Sequence, residues 1–211
     1  MKSSAKAVAP PERKSVVSRR EILDAAAALF RMKGYYATTL RDIAAAVGMK
    51  AGSVYYHFDS KEQILEEVLD IGIRSAFRAV RESIEALPES ASWRDRFQAA
   101  LNAHFASLFQ LGDYLSANLR VFGQSPTHIY ERHIRIRREY DDYWQDMYQK
   151  AQAAGEIRSD INLSALRLLV FGAMNWAIEW YKPGKKGVSS IAEEYTRIIF
   201  DGIGPKKNAG G

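Results

Sequence analysis

The sequence predicts an all-α fold: an N-terminal three-helix head with a helix-turn-helix, joined to a larger helical-bundle body. Three observations carry this. Apolar residues recur at three- and four-residue spacing along most of the chain, capping patterns and Gly or Pro stops punctuate them, and no convincing run alternates with period two. Ser18-Arg19-Arg20-Glu21 is a capping box for the first helix, whose buried stripe is Ile22, Ala25, Ala26, Leu29 and Phe30. Gly34 ends it. Thr39 caps the second helix, with Asp42 three residues on and Ile43, Ala44 and Val47 facing inward. Gly48 stands at the turn, where the left-handed conformation that ends many helices suits glycine. A short aromatic helix follows and ends in Tyr55, Tyr56, His57 and Phe58, of which Tyr55 and Phe58 are expected in the core.

Ser60-Lys61-Glu62-Gln63 caps a long helix that runs to about Leu87, before Pro88. Ser92-Trp93-Arg94-Asp95 opens another, to about Gln110. A shorter one spans about Tyr114 to Phe122, and a long polar and aromatic helix follows from about Thr127 to Ala154. Gly155 to Asn162 form a loop. Two apolar helices close the chain, about Leu163–Tyr181 and Ser190–Ile203, separated by Lys182-Pro183-Gly184-Lys185-Lys186-Gly187. The expected organisation is a disordered basic arm over 1–17, the head over 18–62, the body over 63–204 and a flexible tail over 205–211.

Helix, tight turn and second helix together form the unit that places one helix in a DNA major groove. Charge agrees with it. Residues 1–60 hold ten Lys and Arg against five Asp and Glu, while residues 61–211 hold twenty of each, so the whole net charge of +5 lies with the motif. Positive charge beside a groove-reading helix raises affinity for phosphate through counterion release. Thr39 and Arg41 lie where backbone N–H groups and side chains meet a phosphate. Lys50, Ala51 and Ser53 lie on the early turn of the reading helix, Ala51 offering only an apolar contact such as a thymine methyl. Gly52 lets the backbone approach closely, and Lys61 meets a phosphate from the next helix.

The chain has no cysteine, which excludes disulfides and thiolate zinc sites and fits a reducing cytoplasm. It has no apolar run long enough to span a membrane, and its N-terminus lacks the apolar core of a signal peptide. The four histidines, His57, His104, His128 and His133, form no metal pair at helical spacing, and no phosphate loop appears. No cofactor is expected. An enzyme, at most a helical thioester-processing one, is the competing class, and nothing in the sequence calls for it.

Three features of the body bear on ligands. Trp176 and Trp180 lead into the Pro183-Gly184 turn, on a helix whose small residues suit a dimer interface with an aromatic edge. Arg135 and Arg138 share a face of the long helix near Tyr143, a pattern that fits either a solvated face or an anion site. Phe97, His104 and Phe105 belong to a wide apolar stripe that suits either a core or the wall of a pocket.

From Ile22 to Leu65 the sequence resembles the TetR-type transcriptional regulators. The likeness rests on Leu29-Phe30, Gly34-Tyr35, Thr38-Thr39, Ile43-Ala44, Val47-Gly48, Gly52 to Phe58 and Ser60-Lys61, in order and at the right spacing. It implies a cytoplasmic homodimer on a palindromic double-stranded operator, paired through about 163–203, with no membrane partner and a small effector that releases DNA. It also implies that Tyr56 and His57 lie against the sugar-phosphate backbone. Over the last 80 or so residues the chain is similar to the branch of that family that answers to acyl-CoA thioesters in fatty-acid, sterol or aromatic-acid breakdown. That likeness rests on Arg137 to Tyr143, Gly155 to Asp160, and Asn175-Trp176 through Ile191-Ala192, with Lys182 where members often carry arginine. The expectation is a repressor released by an acyl-CoA. The alternative is a multidrug-type regulator sensing an aromatic or cationic molecule.

Overall fold

The computed structural model describes residues 12–181 and 187–203, with side chains from Arg19 onward. Residues 1–11 of the expected arm over 1–17, the linker from Lys182 to Lys186 and the tail lie outside the described residues, while 12–17 belong to a helix rather than to a disordered arm. Among those described there are nine α-helices and one short 3-10 turn, and no strand. They are α1 (Glu12–Lys33), α2 (Leu40–Ala46), α3 (Ala51–Val54), α4 (Lys61–Glu85), α5 (Trp93–Gln110), α6 (Gly112–Val121), α7 (Thr127–Ala153), α8 (Leu163–Trp180) and α9 (Val188–Ile203).

The caps form largely as the sequence implies. Thr39 with Asp42 and Ser92 with Asp95 make reciprocal capping boxes. Ser60 accepts from the Gln63 amide, but Gln63 reaches back to the Asp59 amide at 2.8 Å rather than to Ser60. The start of α1 differs from expectation. Nothing between Glu12 and Ser18 breaks a helix, so α1 begins at Glu12 and Ser18 lies inside it, not at its cap. Gly48 adopts a φ of +68°, which lets the chain turn sharply between α2 and α3.

Two apolar cores form, and α6 belongs to both. The head core gathers Ile22, Phe30, Ile43, Val54, Phe58 and Leu65, and it takes in Tyr114, Ala117 and Val121 from α6. The body core is aromatic, built on Phe97, Phe105, Tyr140, Trp144 and Phe200, and it takes in Leu115 from the opposite face of α6. Residues 114 and 117 fall on one side of a helix and 115 on another, so a ten-residue element serves two cores. Helix α4 likewise runs unbroken from the head into the body, past the expected division at 62–63.

Where α4 crosses α6, a polar cluster is buried. Asn118 donates to the Leu69 carbonyl at 3.0 Å, and its side-chain oxygen pairs with His133 Nε2 at 2.9 Å. The other ring nitrogen of His133 lies 3.3 Å from Asp70, and Arg132 reaches Asp70 at 2.8 Å. Burial pushes the Asp70 carboxyl up, but the His133 contact and the Arg132 and Arg74 charges outweigh it and hold the group below its ordinary value. The sequence placed His133 only on a charged helix; in the fold it joins α4, α6 and α7.

Candidate nucleic-acid interface and effector cavity

The reading segment is pinned to the head by side chains that face inward. Val54 and Phe58, four residues apart, fill the head core, and the Arg19 guanidinium lies 4.1 Å over the Phe58 ring. Arg19 also donates to the His57 carbonyl and to Glu67, tying α1 to α3 and α4. With those positions facing in, Tyr56 is 88% exposed, and Arg41, Lys50 and Gly52 are exposed with it. Ala51, Ser53 and His57 are half-buried on the same short segment. Tyr55 corrects an expectation. It stands about a third of a helical turn from Val54, outside the inward row, and is 59% exposed rather than in the core.

Two of the expected phosphate contacts are already engaged inside the head. The Thr39 hydroxyl donates to Asp42 and accepts from its amide, as a cap requires. Lys61 donates to the carbonyls of Tyr35 at 3.0 Å and Thr38 at 2.9 Å, with its ammonium 4.1 Å above the Tyr35 ring. It thus clamps the α1–α2 turn to the start of α4, with one N–H left over.

In the body, a cleft of about 550 Å³ opens between the end of α1, α6 and α8, lined among others by Arg31, Arg120, Trp176 and Glu179. It shares Leu119 and Asn175 with a small inner cavity of about 50 Å³ between α4, α5, α6, α7 and α8. The inner cavity is walled by His104, Tyr140 and Phe171, with Arg137 and Asp141 also on its lining. His104 Nδ1 and the Tyr140 hydroxyl are 2.8 Å apart. Burial pulls the His104 imidazole down to about 4, with Asn175 beside it opposing, so the ring is neutral at pH 7. Burial pushes Asp141 up, against the Arg167 and Arg137 charges, and Arg167 pairs with it at 3.2 Å.

These features sit on a chain whose two halves both match known families. Residues 22–68 match the bacterial regulatory proteins of the tetR family, and residues 90–203 match the tetracyclin repressor-like C-terminal domain. The chain belongs to the TetR family. It is 32% identical to the HTH-type transcriptional repressor KstR2 of Rhodococcus jostii over 90% of this chain and 93% of that one. The fold is that of the ketosteroid transcriptional regulator KstR2 of Mycobacterium tuberculosis, with a TM-score of 0.80 at 24% identity over 90% of this chain and 96% of that one. It is also that of AibR, solved with isovaleryl coenzyme A and operator DNA, with a TM-score of 0.72 at 23% identity over 86% and 97%. TetR-family proteins are DNA-binding transcriptional regulators rather than enzymes. Among the described residues no side-chain group could hold a metal ion, and no helix is long and apolar enough to cross a membrane.

The ligand residues expected for this TetR-family body are only partly brought together. His104 lines the inner cavity and Trp176 the outer cleft. Phe97 instead packs on Trp144, Tyr148 and Phe200, and Phe105 on Phe109 and Tyr195, because both point from α5 toward the body core and α9. Tyr143 packs on Phe77 of α4, 5.5 Å between ring centroids, and Trp180 sits half-exposed at the end of α8, beside Tyr181. Arg135 and Arg138 face solvent. The inward row of α7 is Ile136, Tyr140 and Trp144, which turns 135 and 138 outward and carries Arg137 to the cavity edge. Arg137 and Asp141, four apart on α7, line the inner cavity, and the sequence reading did not single them out as ligand candidates.

Proposed function

We propose that the protein is a ligand-responsive repressor that binds a palindromic operator as a homodimer and leaves it when an acyl-CoA thioester binds. The observation that carries the ligand reading is the junction of the outer cleft and the inner cavity at Leu119 and Asn175. An inner end walled by Tyr140, Phe171 and aliphatic side chains, with polar groups among them, suits an acyl group, and an arginine-bearing mouth suits the phosphates of coenzyme A. Isovaleryl coenzyme A in AibR, a protein of the same fold, supports that ligand class. The head over 18–62 reads DNA through Arg41, Lys50, Ala51, Gly52, Ser53, Tyr56 and His57. Thr39 and Lys61 shape the head from within.

The dimer reading rests on α8. Leu168 and Leu169 are 64% and 66% exposed, and Gly172 and Trp176 continue the same apolar face. A row of large apolar side chains in water is the mark of an interface. The body over 63–204 then both senses and dimerises, and the protein acts in the cytoplasm, where its DNA is.

A planar aromatic effector is the second reading, favoured by the three rings around the inner cavity. Thermal unfolding against acyl-CoAs, free acids, coenzyme A alone and planar aromatics separates the two. A ligand at about 100 times its Kd adds roughly 2.7 kcal/mol to the folded state. A rise with thioesters, absent with the acids and with coenzyme A, supports the first reading. A rise with the aromatics alone replaces it.

A further inference from the structure

We infer that His133 is a positioning residue held as an imidazolium, whose charge ties α4 and α6 to α7 and makes operator binding weaken as pH rises. This rests on the repressor reading above, in which this arrangement of head and body is the one that binds DNA. His133 is 2% exposed, and both of its ring nitrogens are engaged. Nε2 meets the Asn118 side-chain oxygen at 2.9 Å, and Nδ1 meets Asp70 Oδ1 at 3.3 Å.

The partners decide where the protons are. Asn118 cannot turn its amide nitrogen to the ring, because both N–H groups of that nitrogen go to backbone carbonyls, Leu69 at 3.0 Å and Tyr114 at 3.2 Å. Its oxygen therefore faces Nε2 and can only accept. Asp70 is an acceptor too. Its Oδ2 meets Arg132 at 2.8 Å and Arg74 at 3.8 Å, so the carboxylate stays ionised and Oδ1 is left for the imidazole. Two acceptors on two ring nitrogens require a proton on each, which only the charged ring carries. A neutral ring would set a lone pair against one of these oxygens. A buried cation also needs a paired anion, and Asp70 supplies it. Of the other charged groups here, Glu66 of α4 pairs with Arg132 at 3.0 Å. Phe122, just past α6, lies 5.5 Å from the imidazole, and Arg137 and Tyr130 of α7 lie against that phenyl ring. Leu69 and Ala117, the sequence neighbours of Asp70 and Asn118, sit in the head core, and Ile136, one turn on from His133, sits in the body core. Loss of the proton therefore turns an attraction into a repulsion at the crossing that fixes the head against the body.

The test reads the charge and its effect in the full-length protein. Ring-nitrogen magnetic resonance near neutral pH should show two protonated nitrogens on His133. The signals are identified by their loss in His133→Gln, or by contact with the Phe122 ring if that variant does not fold. One bare nitrogen overturns the inference. DNA binding uses a duplex that the wild-type protein selects from a randomised pool, titrated across the ordinary histidine range, about pH 6 to about pH 9. Wild type should weaken over that range by roughly tenfold more than His133→Gln, the weight of one hydrogen bond to a charged group. Asp70→Asn, which keeps the shape and removes the charge, should leave His133 with a single N–H and show the same flattened profile. Comparing variants with wild type cancels any contribution from His57 on the reading segment. Equal pH profiles in wild type and both variants overturn the inference. If the pool yields no duplex, the repressor reading falls and the amide signals of Val54 and Phe58 in the head become the readout. Signals that move as the His133 ring loses its proton keep the inference, and signals that stand still overturn it.

Discussion

Gly72→Ala tests whether α4 and α6 are in contact as closely as the structure has them. A methyl group on Gly72 would meet Asn118 Nδ2 at 2.6 Å and the Tyr114 carbonyl oxygen at 3.0 Å. The first contact is too short to persist, and the second is with backbone that cannot rotate away. Asn118 has to leave, and with it go its hydrogen bonds to the Leu69 and Tyr114 carbonyls and to His133, about 1 kcal/mol each. The residual contact with Tyr114 adds about 1 kcal/mol of overpacking. Against these, alanine in a helix gains about 1 kcal/mol over glycine. The net is a loss of about 3 kcal/mol, which in a chain of 211 residues lowers the unfolding midpoint by roughly 6–12 °C. Thermal unfolding followed by circular dichroism measures it. The double variant Gly72→Ala with Asn118→Ala should lose much less than the two single losses together, because the side chain being displaced is gone. A Gly72→Ala protein as stable as wild type would refute the close crossing, and with it the claim that head and body share one junction.

Four further outcomes follow from the same geometry. Lys61→Ala should destabilise the head by about 2 kcal/mol, read by urea denaturation, since it strands two carbonyls and removes a cation over an aromatic ring. Arg41→Ala and Lys50→Ala should leave stability unchanged and each lower the salt slope of operator binding by about one unit, while Lys61→Ala should change that slope less. For His104, whose folded value of about 4 lies below the ordinary 6.5, the unfolded chain takes up the proton first; stability is therefore full above pH 6.5 and falls as pH drops from 6.5 toward 4, by up to about 3 kcal/mol. Urea midpoints across that window should show the fall in wild type and less of it in His104→Gln. Leu169→Asp, on the exposed face of α8, should turn the dimer into monomers in light-scattering chromatography without lowering helix content.

What the sequence shows well is whatever local chemistry decides. Thr39, Asp42, Gly48, Ser92 and Asp95 act within three or four residues of themselves, so helix starts and the tight turn are legible from spacing alone. The reading segment is legible for the same reason: Lys50 to Phe58 is short, and its environment is mostly its own head. The cavity is different. Whether an aromatic residue on α5 faces a pocket or a core depends on which helix crosses it, and Phe97, His104 and Phe105 look equivalent on a helical wheel until α7 and α9 are in place. The arginines of α7 fail for a related reason. Arg135, Arg137 and Arg138 differ only in rotation about the helix axis, and the row Ile136, Tyr140, Trp144 could have placed Arg137 at the cavity edge had it been weighed first.

The position of α6 gives the regulatory reading its physical basis. Its Tyr114, Ala117 and Val121 are embedded in the head, and Leu115, Asn118 and Leu119 line the inner cavity. A packed core resists small displacements because its side chains interlock, so an element shared by two cores cannot move in one without disturbing the other. The inner cavity is far smaller than any acyl group with its thioester, and the walls that have to yield include α6. Its displacement would load the Asn118 bond to Leu69 of α4 and the Tyr114 hydroxyl bond to Asp24 of α1, 2.6 Å long. Both partners lie on helices that set the tilt of the head. A ligand shifts such an equilibrium only by the difference in its affinity for the two arrangements. On the proposed reading that difference is the room it gains when α6 moves, and a ligand small enough to fit without moving α6 should bind and leave operator affinity unchanged.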